Sequence, residues 1–477
     1  MDYKIFPYRF ERLENEVFVS NEVGEYVYLS ESDFNSFINH KLRPLNESYK
    51  SLKSKQILSD SNHDDVIEML ATKYRTKKHF LTQFTSLHMV VVTLRCNSNC
   101  CYCQVSKKNI EDIHFDMDKT IAKKVIEKIF ETPSLFIKIE FQGGEPLLNF
   151  EIVKYIIETV EWKNIFKKKN LEFVICTNLT LIDEKKLKWL KNHKVYISTS
   201  LDGPSILHNK NRPLQNTNNS YDLIVEKINL CRRFLGEDSV SALMTATSHS
   251  IGKFEDIINT YVKLGFSSIF LRSLNPYGFA KRNKNFLAYP IEAFLDNYKR
   301  GLEYILKLNL EGTYFREEFA TIILSRILTP FSTGFVDLQS PAGIGIAGVI
   351  YDYDGDVYVS DEGRMLASMG DKKFKIGNVC TNNYQEIFNS NYLHELTENS
   401  CAESLPQCST CAYLSYCGAD PVRNYSEQGD IIGHRPTSQV CNKNMGVIKF
   451  ILSILKENDP NVNKVLWSWI LRKSITI

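Results

Sequence analysis

The chain has 477 residues, 43% hydrophobic and 24% charged, which is typical of an ordinary globular protein of about three domains. Lys and Arg number 58 and Asp and Glu 56, and the net charge of +2 provides no general attraction for nucleic acid. Because no run of about 18 apolar residues occurs, we expect no membrane span. The N-terminal segment lacks the pattern of a signal peptide, so we expect a cytoplasmic protein.

Residues 8–29 alternate apolar and polar side chains between turn signals, which predicts a small three-stranded antiparallel sheet. Three short helices are predicted to follow: one capped by Ser30 or Ser32, one after Pro44, and one over residues 66–74. Residues 1–84 are therefore predicted to form a small winged-helix-like α+β domain.

Strands and amphipathic helices then alternate strictly up to about residue 309. The predicted strands cover residues 89–94, 135–141, 171–176, 195–201, 240–246 and 268–272. The predicted helices between them cover residues 119–131, 149–162, 184–191, 221–234 and 254–264. Six such units in series imply a parallel sheet, either open or closed into a barrel, with its chemistry at the carboxyl ends of the strands.

The alternation stops near residue 331, where a glycine-rich stretch precedes a hairpin signal at Asp354-Gly355. Helices are predicted at residues 384–396, 442–455 and 462–471. We therefore predict four regions: residues 1–84, a parallel α/β domain at 85–330, a cysteine-rich domain at 331–447 and C-terminal helices at 448–477.

Twelve cysteines are unusual for a cytoplasmic chain, in which clustered thiols indicate metal ligands rather than disulfides. Cys176 and Cys231 lie within apolar runs, which is typical of small buried side chains. The other cysteines, apart from Cys380, form two groups, at residues 96–103 and 401–441.

The first group has the spacing Cys96-x3-Cys100-x2-Cys103 and begins two residues after the first predicted barrel strand. A zinc site usually needs four ligands, whereas a 4Fe–4S cluster held by three thiolates keeps one iron free. Cys101 does not fit the spacing and is predicted to be a packed thiol.

This spacing, with Tyr102 before the last cysteine, resembles the radical S-adenosylmethionine (SAM) superfamily. Four further motifs match it in order, each after a successive predicted strand: Gly143-Gly144-Glu145-Pro146, Thr177-Asn178, Ser200-Leu201-Asp202-Gly203-Pro204, and the stretch that ends at Arg212. The resemblance implies a partial (βα)6 TIM-like barrel over about residues 85–310.

The same resemblance implies that the open iron binds SAM and that a 5′-deoxyadenosyl radical then abstracts a hydrogen atom from the substrate. The cluster ligands would be Cys96, Cys100 and Cys103. The residues implied to contact SAM or shape its site are Tyr102, Gly143, Gly144, Glu145, Pro146, Thr177, Asn178, Ser200 and Arg212.

The second group, Cys408-x2-Cys411-x5-Cys417 with Cys441, resembles the SPASM extension of peptide-modifying radical SAM enzymes. A zinc ribbon is the alternative, since zinc accepts four thiolates. Three cysteines of the full SPASM pattern are missing: Pro421 and Ser360 occupy two of their positions, and residues 339–348 lack the third. The resemblance thus implies one auxiliary 4Fe–4S cluster rather than two, with Cys380 and Cys401 unassigned.

The chain most resembles the maturases of His-Xaa-Ser peptide systems, in residues 6–13, 20–30, 352–371 and 408–430. That resemblance implies a ribosomally made precursor peptide bound by the N-terminal domain as an added strand. It also implies an electron donor such as flavodoxin or ferredoxin, and a second radical SAM protein as a partner. The alternatives are an anaerobic sulfatase-maturase-like enzyme that oxidises a Cys or Ser side chain and a zinc-stabilised adaptor or nucleic-acid-binding protein.

Asp361 directly follows Ser360 at the end of the predicted hairpin. If the C-terminal domain covers the barrel mouth, this carboxylate is a candidate catalytic base for the proton released after hydrogen abstraction. The alternative is a solvated turn residue beside Glu362.

Overall fold

The computed structural model describes residues 3–215, 217 and 219–474. The N-terminal strands are β1 (Lys4–Ile5), β2 (Tyr8–Arg12), β3 (Val17–Asn21), β4 (Tyr26–Leu29) and β5 (Leu58–Ser59). The helices there are α1 (Glu31–Ile38), α2 (Glu47–Ser54) and α3 (His63–Lys77). The predicted antiparallel sheet is confirmed as β2-β3-β4, and the Ser30 hydroxyl caps α1.

The predicted parallel sheet is also confirmed. Its strands are β6 (Leu87–Thr93), β7 (Phe136–Gly143), β8 (Asn170–Cys176), β9 (Val195–Ser200) and β10 (Val240–Thr245). The sixth predicted strand is interrupted and forms β11 (Ser268–Ile269) and β12 (Leu271–Arg272). Only β12 joins β10, because β11 pairs instead with β13 (Arg316–Glu317).

The helices of this region cover one face of the sheet, as in β7, where Ile137, Ile139 and Phe141 are buried and the alternate residues are not. They are α4 (Lys119–Glu131), α5 (Phe150–Lys167), α6 (Glu184–Asn192), α7 (Ser205–Asn211), α8 (Ser220–Leu235), α9 (Phe254–Lys263), α10 (Gly278–Arg282), α11 (Lys284–Leu287), α12 (Ile291–Leu310) and α13 (Glu318–Leu328). Helix α7 was not predicted, since its seven residues, SILHNKN, carry no apolar periodicity.

The C-terminal region contributes strands β14 (Gly348–Tyr351), β15 (Asp356–Tyr358) and β16 (Lys375–Asn378). Its helices are α14 (Asp361–Ala367), α15 (Tyr384–Phe388), α16 (Asn391–Glu398), α17 (Pro421–Gln428), α18 (Gln439–Glu457) and α19 (Pro460–Leu471). None of the helices in the described part of the chain is long and apolar enough to cross a membrane.

The predicted hairpin, β14–β15, is not a separate unit. Strand β14 pairs in parallel with β6, with Ile350 opposite Met89. Nine of the described strands therefore form one sheet, in the order β12-β10-β9-β8-β7-β6-β14-β15-β16. This pairing fixes α14, which follows the hairpin, against the barrel.

Candidate functional site

A cavity of about 280 Å³ opens at the carboxyl ends of the parallel strands. It brings together the first three spaced cysteines and residues that follow four different strands. Its lining includes Cys96, Cys100, Tyr102, Cys103, Gly143, Gly144, Thr177, Asn178, Ser200, Arg212, Asp361 and Met365. Two of the predicted residues, Glu145 and Pro146, are buried behind this lining.

The cysteine loop is held by its own backbone and by the neighbouring strand end. The Ser98 amide donates to the Cys96 sulfur at 3.4 Å, and the Asn178 side chain donates to the Ser98 hydroxyl at 3.0 Å. Burial raises the pKa of the Cys100 thiol to about 12. Without a metal this thiol therefore stays protonated, and metal coordination would deprotonate it outright.

The Gly143-Gly144 turn lies directly against the strand that leads into the cysteine loop. Gly143 has φ +125°, and a Cβ atom there would lie 2.0 Å from the Thr93 carbonyl oxygen. At Gly144, a Cβ atom would lie 2.2 Å from the carbonyl oxygen of Arg95. Both positions therefore require glycine, because only a turn without side chains fits beside that strand end.

Glu145 joins this turn to the end of β8. Its buried carboxylate accepts from the Thr177 hydroxyl at 2.6 Å, the Asn178 amide at 2.8 Å and the Leu147 amide at 3.0 Å. Burial raises the pKa of Glu145, and these donors offset part of the rise. The contacts fix Thr177 and Asn178 at the cavity wall.

Tyr102, Asp202 and Arg212 form a buried polar group on the opposite part of the wall. The Tyr102 hydroxyl donates to both Asp202 oxygens at 2.8 and 2.7 Å, and the Arg212 Nε lies 3.2 Å from Asp202. The Arg212 guanidinium also lies over the Tyr102 ring, 5.0 Å from its centroid. Burial lowers the pKa of Arg212, but the Asp202 carboxylate more than reverses this, so the guanidinium stays charged.

Asp361 reaches the same cavity from the first turn of α14, which Ser360 caps by accepting from the Gly363 amide. The buried Arg364 donates through Nε to Asp361 Oδ1 at 3.3 Å. This places a held carboxylate on the wall shared with the three thiols, rather than in a solvated turn.

Sequence reasoning misassigned one cysteine and missed its neighbours. Cys176 was predicted to be a small buried side chain, but its thiol lines the cavity and donates to Glu140 at 3.3 Å. Gln142 donates to the same carboxylate at 2.6 Å. The signal was present in β7, where Glu140 and Gln142 occupy alternate, inward-facing positions. Cys231, by contrast, is fully buried as predicted.

A second cavity of about 280 Å³ adjoins the first, and Leu243 and Arg272 line both. Its wall combines four phenylalanine rings with charged side chains: Phe270, Phe294, Phe319, Phe335, Asp337, Glu362, Asp420, Arg423 and Lys443. Burial, together with nearby carboxylates, raises the pKa of Glu362 to about 8.

The second cysteine group lies outside the lining of the first cavity, in the loop between α16 and α17 and in the first turn of α18. Its polar neighbours donate to sulfur: Arg435 Nε to Cys408 at 3.0 Å, and Asn444 Nδ2 to Cys417 at 3.7 Å. Burial raises the pKa of Cys441 to about 11, and the charge of Arg435 offsets part of that rise. Thiols with donors and a cation around them suit a negatively charged thiolate-bound group.

Neither cysteine group converges on a single point. Among the described residues, no three His, Cys, Asp or Glu side chains lie close enough to share one metal ion. Cys380 is exposed, and the Cys401 thiol donates to the Thr397 carbonyl at 3.7 Å.

Residues 90–261 match the family model of the radical SAM superfamily. This match identifies a radical SAM domain within the chain. The matched segment runs from β6 to α9 and so includes the cysteine loop, the Gly143-Gly144 turn and Arg212. This confirms the recognition made from the motifs, and the family implies a 4Fe–4S cluster and SAM as its cofactors.

Among curated proteins, the chain is 30% identical over 190 residues to an uncharacterized protein of Methanocaldococcus jannaschii. That alignment covers 40% of this chain and 63% of the other protein's length. It is also 24% identical over 348 residues to a cysteine-type anaerobic sulfatase-maturating enzyme of Clostridium perfringens. The second alignment covers 70% of this chain and 89% of that enzyme.

Solved structures confirm the fold. The structure of anSMEcpe with bound AdoMet superposes with a TM-score of 0.65 at 18% identity, over 80% of this chain and all of that one. Streptococcus suis SuiB bound to its precursor peptide SuiA superposes with a TM-score of 0.54 at 14% identity, over 92% of this chain and all of SuiB. The radical SAM barrel is thus embedded in an architecture that extends well beyond residues 90–261.

Proposed function

We propose that the protein is a radical SAM enzyme that modifies a ribosomally made peptide. One observation carries the proposal: three thiols, a charged arginine and a carboxylate held by Arg364 line a single cavity, and a second cavity lined partly by the C-terminal region adjoins it. The SAM cleavage machinery and a proton acceptor would therefore face the same substrate.

The donor set fits the cofactors that the family implies. The thiolates of Cys96, Cys100 and Cys103 would hold the 4Fe–4S cluster, whose fourth ligand is then free to be SAM. When bound, the cluster and SAM supply a 5′-deoxyadenosyl radical that abstracts a hydrogen atom. Arg212 would pair with the SAM carboxylate, because its guanidinium stays charged and faces the cavity.

The other residues predicted to contact SAM are assigned from their positions in or behind the cavity lining. Gly143 and Gly144 leave room beside the thiols, while Thr177, Asn178 and Ser200 present polar groups from two strand ends. Glu145 and Pro146 would shape the site from behind, and Tyr102 would hold Asp202 and Arg212 in place.

Asp361 is proposed as the base that takes the proton released from the substrate. Its Oδ1 is held by Arg364, which leaves Oδ2 to accept. The substrate residue would reach Asp361 through the adjoining cavity, whose phenylalanine rings and charged groups suit a peptide rather than a small metabolite.

We assign the regions accordingly. Residues 1–84 would recognise the precursor peptide, and residues 85–330 would carry the SAM chemistry. Residues 331–447 would hold one auxiliary cluster, with Cys408, Cys411, Cys417 and Cys441 as its ligands. The helices of residues 448–477 would brace the barrel. The likeness to SuiB in complex with a precursor peptide supports the peptide substrate. An external donor such as flavodoxin or ferredoxin would reduce the clusters.

Two finer assignments compete. The His-Xaa-Ser assignment rests on the resemblance of residues 6–30, 352–371 and 408–430, and it includes a second radical SAM protein as a partner. The alternative, oxidation of a Cys or Ser side chain, is favoured by the 89% coverage of the Clostridium perfringens sulfatase-maturating enzyme.

The experiment is an anaerobic incubation of reconstituted enzyme, SAM and dithionite with each candidate peptide, read by mass spectrometry. The candidates are peptides encoded beside the gene and a sulfatase-derived peptide containing Cys or Ser. A mass change in a neighbouring peptide supports peptide maturation, and conversion of only the sulfatase peptide supports the alternative. Formation of 5′-deoxyadenosine without change to any peptide would contradict the proposed substrate class.

A further inference from the structure

Arg435 is buried beside the second cysteine group with an unusual set of contacts. It lies in a short turn before α18, is 9% exposed, and its Nε donates to the Cys408 sulfur at 3.0 Å. Its Nη2 is also buried and has no hydrogen-bond partner among the described residues. A guanidinium buried in this way is costly unless it faces negative charge.

Asn444 makes the corresponding contact on α18, one turn after Cys441. It is 3% exposed, its Nδ2 lies 3.7 Å from the Cys417 sulfur, and its Oδ1 has no partner in the described part of the chain. Two buried donors on different elements therefore point at two different cysteine sulfurs of this group.

We propose that Arg435 sets the reduction potential of the auxiliary cluster by donating to the Cys408 sulfur, with Asn444 as a weaker second donor. The inference rests on the proposed auxiliary cluster and goes beyond it. Hydrogen bonds and positive charge at the ligand sulfurs stabilise the reduced, more negative form of an iron–sulfur cluster and so raise its potential. Arg435 is thus a positioning and tuning residue, with no contact to substrate.

The experiment measures this potential alone, without a peptide. In a background in which Cys96, Cys100 and Cys103 are all replaced by Ala, only the auxiliary cluster remains, at about four irons per chain. Its midpoint potential is measured anaerobically by redox titration with electron paramagnetic resonance detection. The variants are Arg435→Gln, Arg435→Lys and Asn444→Ala, and the control is Arg43→Gln, which changes an exposed arginine.

We expect a more negative potential for Arg435→Gln, an intermediate value for Arg435→Lys, which keeps the charge, and a smaller decrease for Asn444→Ala. Arg43→Gln should match the background. If the Arg435→Gln variant binds no cluster, the midpoint potential of the Arg435→Lys variant tests the proposal instead. About four irons with unchanged potentials would overturn the tuning role while leaving the cluster in place. A background chain without iron and sulfide would instead refute the auxiliary cluster itself, and with it the inference.

Discussion

The ring of Phe18 stacks on the ring of Tyr413, with their centroids 5.0 Å apart and their planes 14° from parallel. Phe18 lies on β3 of the N-terminal sheet, and Tyr413 lies between Cys411 and Cys417. Beside this pair, the Ser20 hydroxyl donates to the Ala412 carbonyl at 2.6 Å. The proposed peptide-recognition sheet is therefore attached directly to the proposed auxiliary-cluster loop.

Phe18→Ala should destabilise the protein by about 3–5 kcal/mol, because it removes a fully buried ring and leaves a cavity between two regions. Urea unfolding followed by fluorescence measures the loss. Phe286→Ala is the matched control, since that ring is 77% exposed and its removal should change stability by about 0.5 kcal/mol or less. Equal stability of the two variants would show that the stack contributes nothing.

Asp361→Asn should reduce peptide modification by about 10²-fold or more, because the amide cannot accept the substrate proton. The SAM-cleavage residues are unaltered, so 5′-deoxyadenosine should still form. Parallel quantification of both products by mass spectrometry checks this split. Normal modification by the variant would remove Asp361 from the mechanism.

Arg212→Gln should weaken SAM binding by about 10–100-fold, since a hydrogen bond to a charged group contributes about 1.5–3 kcal/mol. Anaerobic equilibrium dialysis with labelled SAM gives the dissociation constant. Arg282→Gln, at the last residue of α10 and outside the cavity lining, is the control. An unchanged constant for Arg212→Gln would contradict its assignment to the SAM carboxylate.

Glu317 should make stability depend on pH. Burial raises its pKa to about 7, although donors such as the Tyr298 hydroxyl partly offset the rise. In the unfolded chain the pKa of this carboxyl group is near its ordinary value of 4.5. Between about pH 4.5 and pH 7, the folded state therefore keeps a proton that the unfolded state has lost. Stability from this group is present below about pH 4.5 and is lost as the pH rises to about 7.

Glu317→Gln removes that titration, so the variant should gain stability relative to the parent between pH 5 and pH 8. Urea midpoints measured at several pH values test the difference. A constant difference across that range would show that Glu317 does not titrate in this window.

Much of the barrel could be predicted because its signals are local. Strands rich in apolar residues alternate with amphipathic helices over residues 89–272, and the motifs follow their strands in order. Helix α4 has the predicted bounds, Lys119–Glu131. The order of the motifs therefore predicted which strand ends meet.

The long-range contacts could not be predicted. The pairing of β14 with β6 joins residues about 260 positions apart, and nothing in either strand's sequence specifies the other. The same applies to Arg435, whose sequence context shows only a turn, and to Cys176, whose apolar run hid an inward-facing position. In each of these cases, a contact between distant parts of the chain determines the position of the residue or strand, and the local sequence pattern does not.

The most direct test of the central claim is the amount of 5′-deoxyadenosine that the reconstituted protein forms from SAM under anaerobic reduction. We predict production by the unaltered protein and none by the chain in which Cys96, Cys100 and Cys103 are replaced by Ala. The auxiliary cysteines are intact in that variant, so the loss would be assigned to the first cysteine group. Cleavage of SAM by the triple variant at the unaltered rate would contradict the account.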